Sequence, residues 1–166
     1  MKKNNRILAI DPGTHYMGVA VLDGKKLSYY GVMTLARRKS PHDTLTEGRN
    51  LIRKLIDDFK PRTLAVEKTF FANNRNSALL NVFVDEIVAV GKRRRLEVRT
   101  VAANTVRKII CENGKATKGD VAKEMVRLYP ELSPFLSSDR RWKERFQYNM
   151  FDAVALAVAY RIRTRR

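Results

Sequence analysis

The sequence predicts an α/β domain built on a five-stranded mixed sheet, an antiparallel meander followed by parallel strands, with helices on its flanks. Three observations carry this. Residues 6–35 hold three short apolar runs separated by tight turn signals. Two later apolar runs, 63–67 and 97–101, alternate with stretches of helical periodicity, the pattern of parallel strands joined by crossovers. The chain has 166 residues and neither a repeat nor a low-complexity segment, so one domain over 1–166 is expected, with a basic tail at about 161–166.

The elements follow in order. RILAI at 6–10 is a first strand stopped by Asp11-Pro12-Gly13, MGVAVL at 17–22 a second, and Asp23-Gly24 turns the chain into a third at 25–35. From Thr44 to Phe59, Leu51, Ile52, Leu55, Ile56 and Phe59 recur at helical spacing, and Pro61 ends the segment. TLAVE at 63–67 reads as a buried strand ending in a glutamate. Ser77 to Gly91 is helical in length but apolar on more than one face, so it is either sandwiched inside the domain or shared with a second subunit. EVRTV at 97–101 is the last strand. Helical segments follow near 104–110 and 118–129, and Asn149 to Ile162 forms a final helix rich in Ala and Val.

The composition restricts the function. There are 34 Lys+Arg against 17 Asp+Glu, a formal net charge of +17, with 44% hydrophobic residues, enough for a core. Residues 1–91 hold 15 Lys+Arg against 9 acids, and residues 92–166 hold 19 against 8, so the binding face is expected mainly from the second half. Such an excess opposes compaction unless a polyanion is bound, and nucleic acid is the obvious one. Any single run, such as Lys92 to Arg95, reads equally as a solvated helix end. One cysteine, Cys111, excludes an internal disulfide, and two histidines leave little for a zinc centre. No apolar run approaches the ~20 residues of a membrane span, and the N-terminus lacks the features of a secretory signal, so a cytoplasmic protein without membrane contact is expected.

The informative acids lie in apolar surroundings. Asp11 ends the first strand and Glu67 the fourth; if the two strands are parallel neighbours, both side chains emerge at the carboxyl end of the sheet, where open α/β sheets bind ligands. Asp152 is read as opening the last helix, with Asn149 three residues earlier on the same face. Taken singly, Asp11 is also a turn residue, Glu67 a partner for a cation, and Asp152 a first-turn acid. Together, three acids at the ends of core elements of so basic a protein call for a hard cation, Mg2+ or Mn2+, and suggest metal-assisted attack on a phosphodiester.

At these residues the chain resembles a known family. Ile7 to Thr14 (ILAIDPGT), with Gly18 and Val21 beyond it, is similar to the first motif of RuvC-type Holliday junction resolvases, and Ala65 to Leu79 (AVEKTFFANNRNSAL) to their second. Val106 to Val121 resembles their basic third segment, and Asn149 to Ala157 (NMFDAVALA) their closing acidic helix. YqgF-type proteins share the Asp-Pro-Gly, but the four blocks in this order, over nearly the whole chain, are specific.

The resemblance implies a ribonuclease-H-like fold, a homodimer formed through the helix at about 77–91, and Mg2+-dependent nicking of two strands at a four-way DNA junction. It places acidic ligands on Asp11, Glu67 and Asp152, a stacking aromatic on Phe70, and catalytic or phosphate contacts on Lys118 and on Arg107 or Lys108, with Asn74 and Lys115 in the DNA-binding set. Asn149 stands where the family often has a further aspartate, and Asp85-Glu86 stand in the dimer helix where many members have small residues. Those two acids either face solvent, pair with basic residues across the interface, or alter how the subunits meet.

The expected mechanism is two-metal hydrolysis, with Asp11 bridging or ligating two Mg2+ ions (Mn2+ substituting), Glu67 and Asp152 on either side, Asn149 a neutral ligand or a group just behind the ligands, and Lys118 offsetting charge on the phosphate. Branched DNA is the expected partner, with a branch-migration motor as a further one. Phe71 is read as a packing residue, Trp142 as packing down its basic loop or else touching DNA, and His15 as a loop residue. The rival readings are a same-fold nuclease acting on flaps, forks or RNA, and a junction-binding protein without catalysis.

Overall fold

In the computed structural model, which describes residues 5–35, 40–68, 75–136 and 141–164 (the side chains of 75, 76 and 141–145 excepted), one sheet organises the chain. Its strands are β1 (Arg6–Asp11), β2 (Tyr16–Asp23), β3 (Lys26–Thr34), β4 (Thr63–Lys68) and β5 (Glu97–Ala102), in the order β3-β2-β1-β4-β5. β1 to β3 pair antiparallel, as the two tight turns require, while β4 runs parallel to β1 and β5 parallel to β4. The helices are α1 (Pro41–Phe59), α2 (Arg75–Arg93), α3 (Ala103–Cys111), α4 (Lys118–Leu128), the short α5 (Ser133–Leu136) after a 3-10 turn at Pro130–Leu132, and α6 (Arg141–Arg163).

Strand alternation sorts the core into two layers. Leu8, Ile10, Val19, Val21, Leu64 and Val66 face α1 and α2, whereas Ile7, Ala9, Ala20, Leu22, Ala65 and Val101 face α6 and, beyond it, α3 and α4. The second face is lined with alanines, and Ala153, Ala155, Ala157 and Ala159 of α6, spread around the helix, are all fully buried. Small residues on both sides let the helix approach the sheet closely. Each fully buried Leu156- or Phe151-sized side chain then contributes ~1.5–3 kcal/mol.

Over Ala153 to Tyr160, α6 is therefore enclosed on all sides. α2 is not: it packs on α1, β4 and β5, while Ala78, Val82 and Asp85 form an exposed stripe. Between α1 and α2 the fit is tight. A Cβ on Gly48 would lie 2.1 Å from the ring edge of the fully buried Phe83. Glu86 does not point away from the domain but pairs with Arg49 of α1 at 3.0 Å and approaches Arg93 at 3.9 Å. Asp85, the other acid expected to influence a dimer contact, is exposed.

Two expectations require correction. Asp152 does not open the last helix: α6 begins at Arg141, so Asp152 lies near its middle. The first two turns, RWKERFQY, are rich in charge and carry only the thin apolar spacing of Trp142 and Phe146, continued by Met150, whereas the alanine-rich continuation is the strong helix signal in the sequence. Nor do residues 161–166 form a tail from their start. Arg161 and Arg163 are the last turn of α6, and the Arg161 guanidinium donates to the Gly24 carbonyl at 3.3 Å. α1 likewise begins earlier than its apolar pattern, at Pro41, because Ser40 caps it by accepting from the Asp43 N–H at 3.2 Å.

Candidate active site

The carboxyl ends of β1 and β4 bring two acids together. The parallel register pairs Ile10 with Val66, so Asp11 and Glu67 are the next step on neighbouring strands. Alternation puts both on the α6 side, in line with Ile7 and Ala9 on one strand and Thr63 and Ala65 on the other. Asp152 joins them from α6, flanked by the buried Phe151 and Ala153. Gly18 of β2, the antiparallel partner of Asp11, fixes the spacing. A Cβ there would fall 1.8 Å from the Asn149 carbonyl oxygen and 3.2 Å from the Asp11 Cβ. Any side chain at 18 would push α6, and Asp152 with it, off the sheet.

The counter-charge comes from the start of α4. Thr117 and Asp120 form a reciprocal capping box: the Thr117 hydroxyl accepts from the Asp120 N–H at 3.1 Å, and Asp120 accepts from the Thr117 N–H at 2.8 Å. This holds Lys118 as the first residue of the helix, an unfavourable place for a cation, costing ~0.3–1 kcal/mol against the helix dipole. It is offset because the Lys118 Nζ donates to Asp152 Oδ2 at 2.8 Å.

The electrostatics follow from crowding like charges in a buried place. Asp11 is 9% exposed, and burial, then repulsion from Glu67 and Asp152, push its pKa well above the usual carboxylate range, with Lys118 opposing. Glu67 is pushed up to about 7 by burial and by Asp152, against the pull of Lys118 and Arg107. Burial works against the Lys118 ammonium, but Asp152, Asp11 and Glu67 together outweigh it and raise its pKa.

The donor chemistry fits a hard divalent cation: carboxylate oxygens, one of them deeply buried, whose mutual repulsion a 2+ charge would relieve. As placed, no three His, Cys, Asp or Glu side chains among the described residues close around a single ion, and Asp152 is engaged by Lys118 instead. Asn149 stands one turn before Asp152 on α6, on the same helix face.

Arg107 and Lys108 are placed differently. Arg107 acts on the Glu67 carboxylate, while Lys108 lines a separate open groove with Asn104, Thr105, Gly114 and Lys115. Both residues are on α3, but adjacent helical positions point in different directions. Sequence reasoning placed Lys118 at the site yet missed the Thr117–Asp120 box that positions it, although the spacing T-x-x-D is legible. Asn104 and Thr105 were likewise missed and carry no sequence signal of their own. Phe70, Asn74 and Phe71 lie outside the described residues, as does the side chain of Trp142. The His15 ring stays local, its Nδ1 lying 3.1 Å from the Thr14 carbonyl, as expected of a loop residue.

Residues 7–160 match the family model described as crossover junction endodeoxyribonuclease RuvC. A protein of that description from Rickettsia bellii is 28% identical over 159 residues, covering 93% of this chain and 94% of the relative. One from Thermobifida fusca is 30% identical over 162 residues, covering 93% and 83%. Among solved structures, Thermus thermophilus RuvC in complex with a Holliday junction substrate superposes with a TM-score of 0.76 at 17% identity, covering 97% of this chain and 95% of that one. The fold is thus the ribonuclease-H-like one that the sequence motifs implied.

Proposed function

The chain belongs to the crossover junction endodeoxyribonuclease RuvC family, and from that premise we propose that it resolves four-way DNA junctions by hydrolysing one phosphodiester in each of two strands. The observation that carries the reading is the convergence of Asp11, Glu67 and Asp152, with Lys118 among them, at the carboxyl end of the sheet of a protein with net charge +17. Asp11, Glu67 and Asp152 would hold Mg2+, with Asn149 as a neutral donor. When bound, the metal supplies water activation and stabilisation of the leaving oxygen.

The chain's own residues do the rest. Lys118, fixed by the capping box, offers a cation that offsets negative charge developing on the phosphate. Arg107 lowers the charge cost of the Glu67 carboxylate. Lys108 and Lys115, in their groove beyond α3, are placed to bind backbone phosphates away from the reacting one. The stripe Ala78, Val82 and Asp85 on α2 supports a homodimer, which would hold two such sites for paired nicking.

The test is cleavage of synthetic four-way junctions, mapped at nucleotide resolution in Mg2+ and in Mn2+. Paired, symmetric nicks with duplex spared are expected. Asp11→Asn should bind junctions and not nick them; nicking at the wild-type rate by that protein, or equal cutting of duplex, overturns the reading.

A further inference from the structure

The rim of the carboxylate cleft carries an aromatic side chain that the family motifs do not include. Gly18 stands opposite Asp11, and alternation along β2 puts Tyr16, two residues earlier, on the same α6-covered side. There its ring meets Phe146 of α6 edge-on, with centroids 5.1 Å apart and planes at 82°. Phe146 lies one turn before Asn149 and six residues before Asp152, so the aromatic pair borders the acids rather than the core. Tyr16 is nevertheless 46% exposed, and among the described residues only Val82 and Leu128 are comparably exposed large apolar side chains. Its hydroxyl has no hydrogen-bond partner among the described residues.

A half-exposed ring contributes little to the core, yet this one is held in place. An edge-to-face contact fixes the ring orientation, which lowers the entropy lost when something else stacks on it. The neighbouring acids and Lys118 require a phosphodiester within reach, and a strand threaded there carries its next nucleobase along the rim.

We propose that Tyr16, braced by Phe146, positions the substrate strand by stacking on a nucleobase beside the scissile phosphate. The inference rests on the nuclease reading and adds to it a contact on β2. The stacking partner is a base rather than a protein side chain because the site is adjacent to phosphodiester chemistry on a chain of net charge +17. Because every base has a π-face, the contact is tolerant of sequence.

The experiment compares wild type with Tyr16→Ala, Tyr16→Leu and Tyr16→Phe in the full chain. Junctions and single strands carry 2-aminopurine at successive positions around the mapped nick, and binding is measured in EDTA. Wild type and Tyr16→Phe should alter the fluorescence at one position. Tyr16→Ala and Tyr16→Leu should lose that signal and bind about 5- to 150-fold more weakly, the worth of one base stack. In Mg2+ the loss should appear in the half-saturating DNA concentration rather than in the single-turnover rate at saturation. Wild-type affinity and fluorescence in Tyr16→Ala overturn the proposal, as does a retained signal in Tyr16→Leu, which keeps an apolar contact to Phe146 without a π-face. If Tyr16→Ala does not fold, the Leu and Phe proteins decide. A protein that stacks through Tyr16 but does not nick junctions overturns the function above and leaves this contact standing; one that nicks with Tyr16→Ala unchanged does the reverse.

Discussion

Replacing Glu67 by Gln should stabilise the metal-free protein, and only at neutral to alkaline pH. Glu67 has its pKa pushed up to about 7 from an ordinary 4.5, first by burial and then by Asp152. A carboxyl whose pKa is raised on folding favours the fold only while it holds its proton. Between pH 4.5 and about 7 the folded state therefore binds more protons than the unfolded one, and stability falls as pH rises through that window. Above it the full cost is present; the interval between the two values, at about 1.4 kcal/mol per decade, makes it ~3 kcal/mol. Gln mimics the protonated acid in shape and charge, so Glu67→Gln should recover about that much at pH 8 and almost nothing at pH 4.5. For a domain of this size that is ~6–12 °C in melting temperature. Relief of Asp11, whose pKa Glu67 also raises, adds to the gain. The assay is thermal and urea unfolding of both proteins in EDTA at several pH values, repeated with Mg2+, which should stabilise wild type more than the variant. Equal stability of the two proteins at pH 8, or a gain that does not change with pH, refutes the reasoning.

Four further outcomes are expected. Lys118→Met should lower nicking ~10²- to 10³-fold, the scale for losing one preorganised charge at a reacting phosphate, and should lower the metal-free melting temperature at pH 8, because Asp152 loses its partner at 2.8 Å. Gly18→Ala should destabilise by ~1–3 kcal/mol or more and abolish nicking, since its Cβ meets the Asn149 carbonyl. Gly48→Ala should destabilise similarly through Phe83 but keep nicking per folded molecule; unfolding curves with active-site titration separate the two. Lys108→Ala with Lys115→Ala should weaken binding to all DNA and reduce the slope of log affinity against log salt by ~2, read from titrations at several salt concentrations.

The strands and their order were legible because Asp-Pro-Gly and Asp-Gly mark the turns of the meander, and because Leu64 to Val66 and Val98 sit between helical patterns. That Asp11 and Glu67 sit together followed only on the condition that β1 and β4 are parallel neighbours, which their pairing in the sheet supplies. Asp152 was expected at the site but misplaced in its helix: α6 begins at Arg141, and the charged residues of RWKERFQY dilute the spacing of Trp142, Phe146 and Met150 that precedes it. Which helix is enclosed was also beyond periodicity. α2 and α6 are both apolar around much of their surface, and only the alanines on one face of the sheet, Ala9, Ala20 and Ala65, select the alanine-rich α6 as the one that fits there. Tyr16 went unnoticed because an aromatic at a strand start reads as ordinary β composition until Phe146 and the acids are seen beside it.

Asn149 acquires a physical reason from the same electrostatics. Asp11 and Glu67 are already held above their ordinary pKa values by burial and mutual repulsion, with one close ammonium, Lys118, to balance them. A further carboxylate one turn before Asp152 would raise both of them further and deepen the cost of the metal-free fold. An amide offers an oxygen on the same helix face without that cost. Asn149→Asp should therefore destabilise the metal-free protein more at pH 8 than at pH 5 while tightening Mg2+ binding. Unfolding in EDTA and calorimetric Mg2+ titration measure the two effects separately, and a variant that is equally stable at both pH values would show that position 149 does not share the field of the other acids.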